Sequence, residues 1–240
     1  MKTSTKFLTA ALALLLGALA AFNLSLRAEY ARGTYKDPLR NTTTLKFSGF
    51  TEVSVLSASA LKVRIVAGPY SVRLSDQAAE FVQVSQQGRR LRVTLAFPEG
   101  RQYLGGGDVL TITCPQLRQL SASARYLVEG KLLTDRENRG GSVRVQGFRQ
   151  DSLTLRQDHA TRIELAGNQL GYLRAGAGAS PGSHPVLLIG SDNRIQAADL
   201  MMQACSVLEQ ETRIERPHYV FGDSTKVSFS GSALGGLSPR

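Results

Sequence analysis

Leu61-Lys-Val63-Arg-Ile65 alternates apolar and polar residues, and the same pattern returns in Val72-Arg-Leu74, Leu91-Arg-Val93-Thr-Leu95, Val143-Arg-Val145 and Ile163-Glu-Leu165. A period of two residues is typical of a β-strand with one buried face. Helical periodicity is nearly absent outside the N-terminal region. The sequence therefore predicts an all-β fold for most of the chain.

The spacing of the strands narrows this fold class. After Val109 the apolar runs shorten to three or four residues, and several begin ten residues apart, at Val143, Leu153, Ile163 and Leu173. Strands this short cannot cover a wide sandwich face. Stacked as coils, they share one core with the coils above and below. The pattern therefore favours a parallel β-helix, or β-solenoid.

The N-terminus carries an export signal. Residues 7–26 are uncharged and follow Lys2 and Lys6; as a helix they would span about 30 Å, the thickness of a bilayer core. One interpretation is a signal peptide cut after Ala18-Leu19-Ala20, and the other is an uncleaved signal-anchor that contacts the membrane through residues 7–26. Both predict an exported protein, periplasmic or in the cell envelope. The expected organisation is a leader over 1–26, a polar linker over 27–43 and a β-solenoid domain over 44–237.

The chain is strongly basic, with a formal net charge of +10. Many cations occupy outward strand positions, namely Lys62, Arg64, Arg73, Arg92, Arg144 and Arg174. A basic sheet face could bind an anionic glycan, lipid headgroups or another envelope protein. The alternative is that these charges only keep the sheet soluble and prevent edge-to-edge pairing. Nucleic acid is not an expected partner, because no platform of aromatic and basic residues is visible.

Several segments resemble the head GIN domain family, which is named a "putative auto-transporter adhesin" of the bacterial envelope. They are Phe50-Thr-Glu-Val-Ser-Val55, Tyr70-Ser-Val-Arg-Leu74, Leu110-Thr-Ile-Thr-Cys-Pro-Gln-Leu117, Asp158-His-Ala-Thr-Arg-Ile-Glu-Leu165 and Asp223-Ser-Thr-Lys-Val-Ser-Phe229. The resemblance covers residues 47–235. It implies a right-handed parallel β-solenoid that is exported to the envelope and has no established enzymatic activity.

No residue is a convincing catalytic, cofactor-binding or metal-binding candidate. Gly178-Ala-Ser180-Pro-Gly182 has the G-x-S-x-G form, but Pro181 lacks the N–H that would help form an oxyanion hole. His159, His184 and His218 are not at metal-ligand spacing, and no Cys-x-x-Cys motif occurs. Asp192-Asn193 and Asp223 are expected to cap turns.

We therefore expect a non-enzymatic, adhesin-like or surface-binding module that needs no cofactor. A structural or assembly element of the envelope is the alternative, and the sequence does not set the oligomeric state. A polysaccharide-active β-helix enzyme is less favoured, because it would need carboxylates grouped on one face. The candidate carboxylates are Asp158, Glu164, Asp199, Glu209, Glu211 and Glu215, and nearby arginines that would pair with them are Arg156, Arg162, Arg194, Arg213 and Arg216.

The cysteines are expected to be free. Cys114 and Cys205 lie 91 positions apart, which is roughly four coils at about 20–25 residues per coil. At ~4.8 Å per coil the gap is about 19 Å, whereas a disulfide needs Cα atoms within about 7 Å. The sequence predicts two free, buried thiols.

Overall fold

The computed structural model describes residues 3–32, 41–102, 104 and 106–236. The chain divides into two compact units, Met1–Asn41 and Thr42–Arg240. The first unit contains helix α1 (Thr3–Arg32). Within α1, the segment Lys6–Ala31 is long and apolar enough to cross a membrane, with a mean hydropathy of 2.1, although a signal sequence would have the same character. The helix continues beyond residue 26, and residues 33–40 of the predicted linker lie outside the described residues.

The second unit consists of two open β-sheets. Sheet A has nine strands and sheet B has ten, and β5 pairs with β6 at the side of sheet B. In spatial order, sheet A contains β1 (Thr42–Leu45), β4 (Ser71–Ser75), β7 (Leu110–Cys114), β3 (Lys62–Ala67), β11 (Ser142–Gln146), β13 (Arg162–Ala166), β15 (Val186–Ile189), β17 (Val207–Gln210) and β19 (Lys226–Phe229). Sheet B contains β10 (Lys131–Thr134), β9 (Arg125–Val128), β6 (Arg90–Phe97), β2 (Glu52–Val55), β8 (Gln119–Ala122), β12 (Arg149–Gln157), β14 (Gln169–Ala177), β16 (Arg194–Met202) and β18 (Ile214–Phe221); β5 is Val82–Gln87.

Short 3-10 helices complete this unit at Asp76–Ala78 and Gly231–Gly236. The expectation of a mainly β chain behind an apolar N-terminal helix is confirmed. Within the described residues the two sheets do not close on themselves, because the first and last strands of each sheet pair on one side only.

From β11 onward, consecutive strands alternate between the two sheets, and from β13 onward each strand pairs in parallel with the strand two positions earlier. In sheet A, Val143 pairs with Ile163, Ile163 with Leu187, Leu187 with Leu208, and Leu208 with Val227. Each turn of the chain therefore adds one strand to each sheet. The alternating pattern that opened the sequence analysis is the inward and outward alternation of these strands.

The core lies between the inner faces of the two sheets. Leu, Ile and Val side chains dominate it, and many are fully buried, including Ile65, Leu91, Ile112 and Leu120. Two phenylalanines, Phe50 and Phe148, are among its largest buried side chains. This continuous burial supplies the main driving force for folding, since each such side chain contributes about 1.5–3 kcal/mol.

Buried polar residues fix the corners that lead from sheet A into sheet B. Asn168, Asn193 and Thr212 occupy equivalent places in three successive corners and form what we call the corner column. Asn193 Oδ1 accepts from the backbone N–H and the side-chain amide of Asn168, each at 3.0 Å. Thr212 Oγ1 donates to the backbone oxygen of Asn193 at 2.9 Å. The column thus links three coils through hydrogen bonds inside the protein.

Candidate binding surface

The basic residues predicted to share one face are divided between the two sheets. Lys62, Arg64, Arg73 and Arg144 lie on sheet A, whereas Arg92 and Arg174 lie on sheet B. These six residues therefore do not form one basic face. Sequence periodicity identifies which residues point outward, but it does not identify the sheet to which a strand belongs.

On sheet A, much of the positive charge is already engaged. Arg64 forms a 2.6 Å ion pair with Asp108, and Lys62 Nζ donates to the backbone oxygen of Gly106 at 2.7 Å. Arg162 bridges Glu164 at 2.8 Å and Glu209 at 3.5 Å. The two arginine pairs therefore neutralise part of the charge on this face, whereas Arg73 and Arg144 form no ion pair in the described part of the chain.

Sheet B carries more unengaged positive charge on its outer face and along its rim. In the described part of the chain, none of the following exposed arginines lies within ion-pair distance of a carboxylate: Arg92, Arg149, Arg156, Arg194, Arg213 and Arg216. Arg90 and Arg174 are the engaged exceptions on this sheet, at 2.8 Å from Glu52 and 3.9 Å from Asp199. Sheet B is therefore the stronger candidate for an anion-binding surface.

Two concavities open on sheet B. A cleft of about 630 Å³ lies where its strands begin and includes Arg149, Arg194 and Arg213 in its lining. A groove of about 460 Å³ lies toward the ends of the strands, and small side chains line much of it. Ser54, Ser121, Arg156, Gly176 and Met201 are consecutive cross-strand neighbours in this groove. Some of the unpaired arginines of sheet B therefore line concave surfaces, and others lie on the flat part of the sheet.

The G-x-S-x-G motif belongs to a structural turn. Ser180 Oγ donates to Asp158 Oδ2 and Ser183 Oγ to Asp158 Oδ1, both at 2.5 Å, and the backbone N–H groups of His159 and Ser180 also donate to this carboxylate. We call this arrangement the Asp158 clasp. A Cβ on Gly178 would lie 2.2 Å from the backbone oxygen of Gln203, so the first glycine of the motif is required by the neighbouring coil.

The electrostatics of the clasp argue against nucleophilic catalysis. Burial acts to raise the pKa of Asp158, but the hydrogen bonds from Ser180 and Ser183 outweigh it and hold the pKa below its ordinary value of 3.8. Burial lowers the pKa of His159, against the opposing effect of Asp158. The Ser180 hydroxyl donates a hydrogen bond to a weakly basic carboxylate. An activated serine instead donates to a general base such as a neutral imidazole.

The other titratable candidates are divided between the two sheets and their corners. His218 contacts Asp199 at 2.7 Å on the outer face of sheet B, whereas Glu164 and Glu209 lie on sheet A. Glu211 accepts from the backbone N–H of Ser191 at 3.1 Å. Within the described ranges, no group of three or more His, Cys, Asp or Glu side chains could hold a metal ion. The six candidate carboxylates are therefore not gathered on one face, although Glu164 and Glu209 share the guanidinium group of Arg162 on sheet A.

One charged cluster has no counterpart among the sequence expectations. Asp135 is only 5% exposed and accepts from Ser59 Oγ at 2.9 Å, Arg139 Nε at 3.1 Å and Arg101 Nη2 at 3.3 Å. Arg101 also lies over the ring of Tyr126, 5.5 Å from its centroid. Burial, followed by the nearby Asp135, raises the pKa of Tyr126. Because two arginines neutralise the buried carboxylate, the cluster holds two connecting segments against the core.

Both cysteines are free. Cys114 is buried, and burial raises the pKa of its thiol to about 12, but Cys205 is only half-buried. The expectation of two buried thiols is therefore wrong for Cys205. Cys114 ends strand β7, and Cys205 lies just before β17. These two strands are five strand steps apart in sheet A, which is about 24 Å at ~4.8 Å per step.

Comparison with known proteins supports the fold only. No family model and no curated protein matches the chain. The structure is similar to a "putative adhesin" from Bacteroides fragilis, with a TM-score of 0.51 and 10% identity over 78% of this chain and 95% of that chain. A "putative adhesin" from Parabacteroides merdae has a TM-score of 0.32 at 9% identity over 78% and 95% of the two chains, and a "putative lipid binding protein" from Parabacteroides distasonis has 0.27 at 11% over 79% and 95%. The last two scores are too low to carry an argument, and the first shows likeness of fold alone.

Proposed function

We propose that this chain is an exported, non-enzymatic module of the cell envelope that binds an anionic surface or polymer. In this proposal residues 1–26 are the leader or membrane anchor, 27–43 the linker, and 44–237 a right-handed parallel β-solenoid of the head GIN type. The expected partners are an anionic glycan, lipid headgroups or another envelope protein with an acidic surface.

The observation that carries the proposal is the set of exposed arginines on sheet B that have no carboxylate partner among the described residues, including Arg92, Arg156, Arg194 and Arg213. An exposed arginine that is not paired within the protein keeps its planar donor group available for carboxylate, sulfate or phosphate. The apolar helix α1 supports export or anchoring. The likeness of fold to a protein named a "putative adhesin" is compatible with a surface-binding role.

The test compares the two sheets directly. The full chain, held in detergent, is assayed against immobilised dextran sulfate, polygalacturonate and neutral dextran, and against phosphatidylcholine vesicles with and without phosphatidylglycerol. One variant combines Arg92→Gln, Arg156→Gln, Arg194→Gln and Arg213→Gln on sheet B. Its matched control combines Lys62→Gln, Arg64→Gln, Arg73→Gln and Arg144→Gln on sheet A.

We expect binding to at least one anionic probe that weakens steeply as salt rises. The sheet B variant should lose about thirtyfold in affinity, at a few-fold per exposed charged contact, while the sheet A variant retains most of it. Circular dichroism would check that both variants are folded. Equal affinity for neutral and anionic probes, or equal losses in the two variants, would contradict the proposal.

A structural or assembly role is the second candidate, and the free end of the stack favours it. Phe221 and Val227 are 41% and 36% exposed, although both occupy inward positions in the last coil. Tyr219 stacks on Phe221 with ring centroids 5.4 Å apart. An aromatic layer at an unpaired sheet end is a surface on which another chain can pack.

A further inference from the structure

Four donor side chains recur at the start of successive sheet B strands. Arg149, Gln169, Arg194 and Arg213 each follow a buried corner residue, namely Phe148, Asn168, Asn193 and Thr212. We call these four residues the donor ladder. All four side chains are exposed and line the cleft of about 630 Å³.

The register of the sheet sets the spacing of the ladder. Arg149 pairs with Gln169 and Gln169 pairs with Arg194, while Arg213 directly precedes Ile214, the partner of Ile195. Adjacent rungs are thus about 4.8 Å apart, and the ladder extends for about 14 Å along the stacking direction. The corner column directly precedes three of the donors, and its Asn168 accepts from the backbone N–H of Phe148, which precedes Arg149, so hydrogen bonds within the protein hold the backbone beside every donor.

The rest of the cleft lining differs in chemistry. It contains Asp151, Gly171, Gln196 and Glu215, each two residues after a ladder position. A Cβ on Gly171 would lie 2.8 Å from the backbone oxygen of Asp151, so this position accommodates only glycine without displacing the backbone. The cleft therefore has cationic donors where the strands begin and, two residues further along the first and last of these strands, separated carboxylate acceptors.

We propose that this cleft binds a linear anionic glycan that lies along the donor ladder. This inference rests on the proposed function and specifies its ligand. The arginines donate to the carboxylate or sulfate groups of the polymer, and Asp151 and Glu215 accept hydrogen bonds from its hydroxyl groups. A membrane surface fits less well, because it is too flat to enter the cleft and its phosphates would face these two carboxylates.

The test separates the ladder from the rest of sheet B. Arg194→Gln/Arg213→Gln is compared with Arg92→Gln/Arg156→Gln, a pair of equal charge on the same sheet, in the full chain in detergent. Polygalacturonate, dextran sulfate and phosphatidylglycerol vesicles are the probes. The ladder pair should lose about tenfold in affinity for one of the two glycans, and the control pair about threefold or less.

A second variant distinguishes glycan from lipid. Asp151→Ala/Glu215→Ala should weaken glycan binding about threefold, since hydroxyl acceptors are lost, and should strengthen vesicle binding, since negative charge is removed. If the wild-type chain binds no anionic probe, the proposed function fails. If it binds but the ladder pair and the control pair lose equally, or vesicles alone are bound, the proposed function stands and the glycan cleft is wrong.

Discussion

Asp158 illustrates what a single residue contributes to this structure. Its carboxylate, from the previous coil, holds the turn over 178–185 by accepting from both Ser180 and Ser183 within that turn. Sequence inspection gave no catalytic role to Ser180, because Pro181 follows it. It could not find the clasp, since the two serines lie 22 and 25 positions away and only the stacking of coils brings them together.

We predict that Asp158→Asn destabilises the protein by about 1–3 kcal/mol at neutral pH, since hydrogen bonds to a charged acceptor are lost. Because the folded-state pKa of Asp158 is below 3.8, its contribution is present above about pH 4 and disappears as pH falls through the folded pKa. Urea unfolding from pH 3 to 7 should therefore show a smaller difference between wild type and variant at the acid end. Asp223→Asn, at an exposed turn residue, is the control; a loss of the same size there, or a difference independent of pH, would argue against the clasp.

At the scale of the element, the corners are as important as the strands. Asp192-Asn193 was expected to cap a turn, and Asn193 does donate to the backbone oxygen of Gly190 at 2.8 Å within that turn. It also donates to the backbone oxygen of Leu165 at 2.8 Å and accepts from Asn168, both in the previous coil. A local sequence pattern identifies the first contact, whereas the others depend on the register between coils.

The corner column provides the second prediction. Asn193→Ala should cost about 3 kcal/mol of unfolding free energy, because it leaves several buried polar groups without partners. Asp192→Ala changes the exposed neighbour in the same turn and should cost less than about 0.5 kcal/mol. Chemical denaturation of both variants measures the difference. Similar losses in the two variants would mean that the column is not a significant source of stability.

The same reasoning explains how much of the fold the sequence could provide. Period-two alternation locates strands such as β3, β6 and β13 well, because inward residues must be apolar. It cannot show that β4 and β7 insert beside β3 in sheet A, since pairing order depends on contacts between distant residues. The donor ladder was missed for this reason: its signal is the recurrence of long donor side chains at 149, 169, 194 and 213, which becomes visible only when the coil period is known.

At the scale of the whole molecule, the end of the stack determines whether copies can join. The N–H of Gly222 donates to the backbone oxygen of Met202, and bonded residues alternate along a parallel strand. The backbone groups of Pro217, Tyr219 and Phe221 therefore face the open edge of β18. Proline has no N–H there, so it interrupts the row of donors that another strand would need.

We predict that Pro217→Val increases self-association, because it restores an edge donor and adds a residue that favours strands. Sedimentation velocity of the full chain in detergent, over a range of concentrations, should show a larger dimer fraction for the variant than for wild type. Pro185→Val, at a proline that precedes β15 in the interior of sheet A, controls for a general loss of order. An unchanged dimer fraction would indicate that Pro217 does not protect this edge.

The turn over 178–185 has a practical consequence for engineering. Three of the four turns that lead from sheet B back to sheet A after β12 span four residues, whereas this one spans eight. The two sheets keep their parallel register on both sides of it. The stack therefore absorbs extra chain at this place, which makes the exposed segment around Pro181 and Gly182 a natural position for grafting an epitope or a fluorophore tag without disturbing the neighbouring coils.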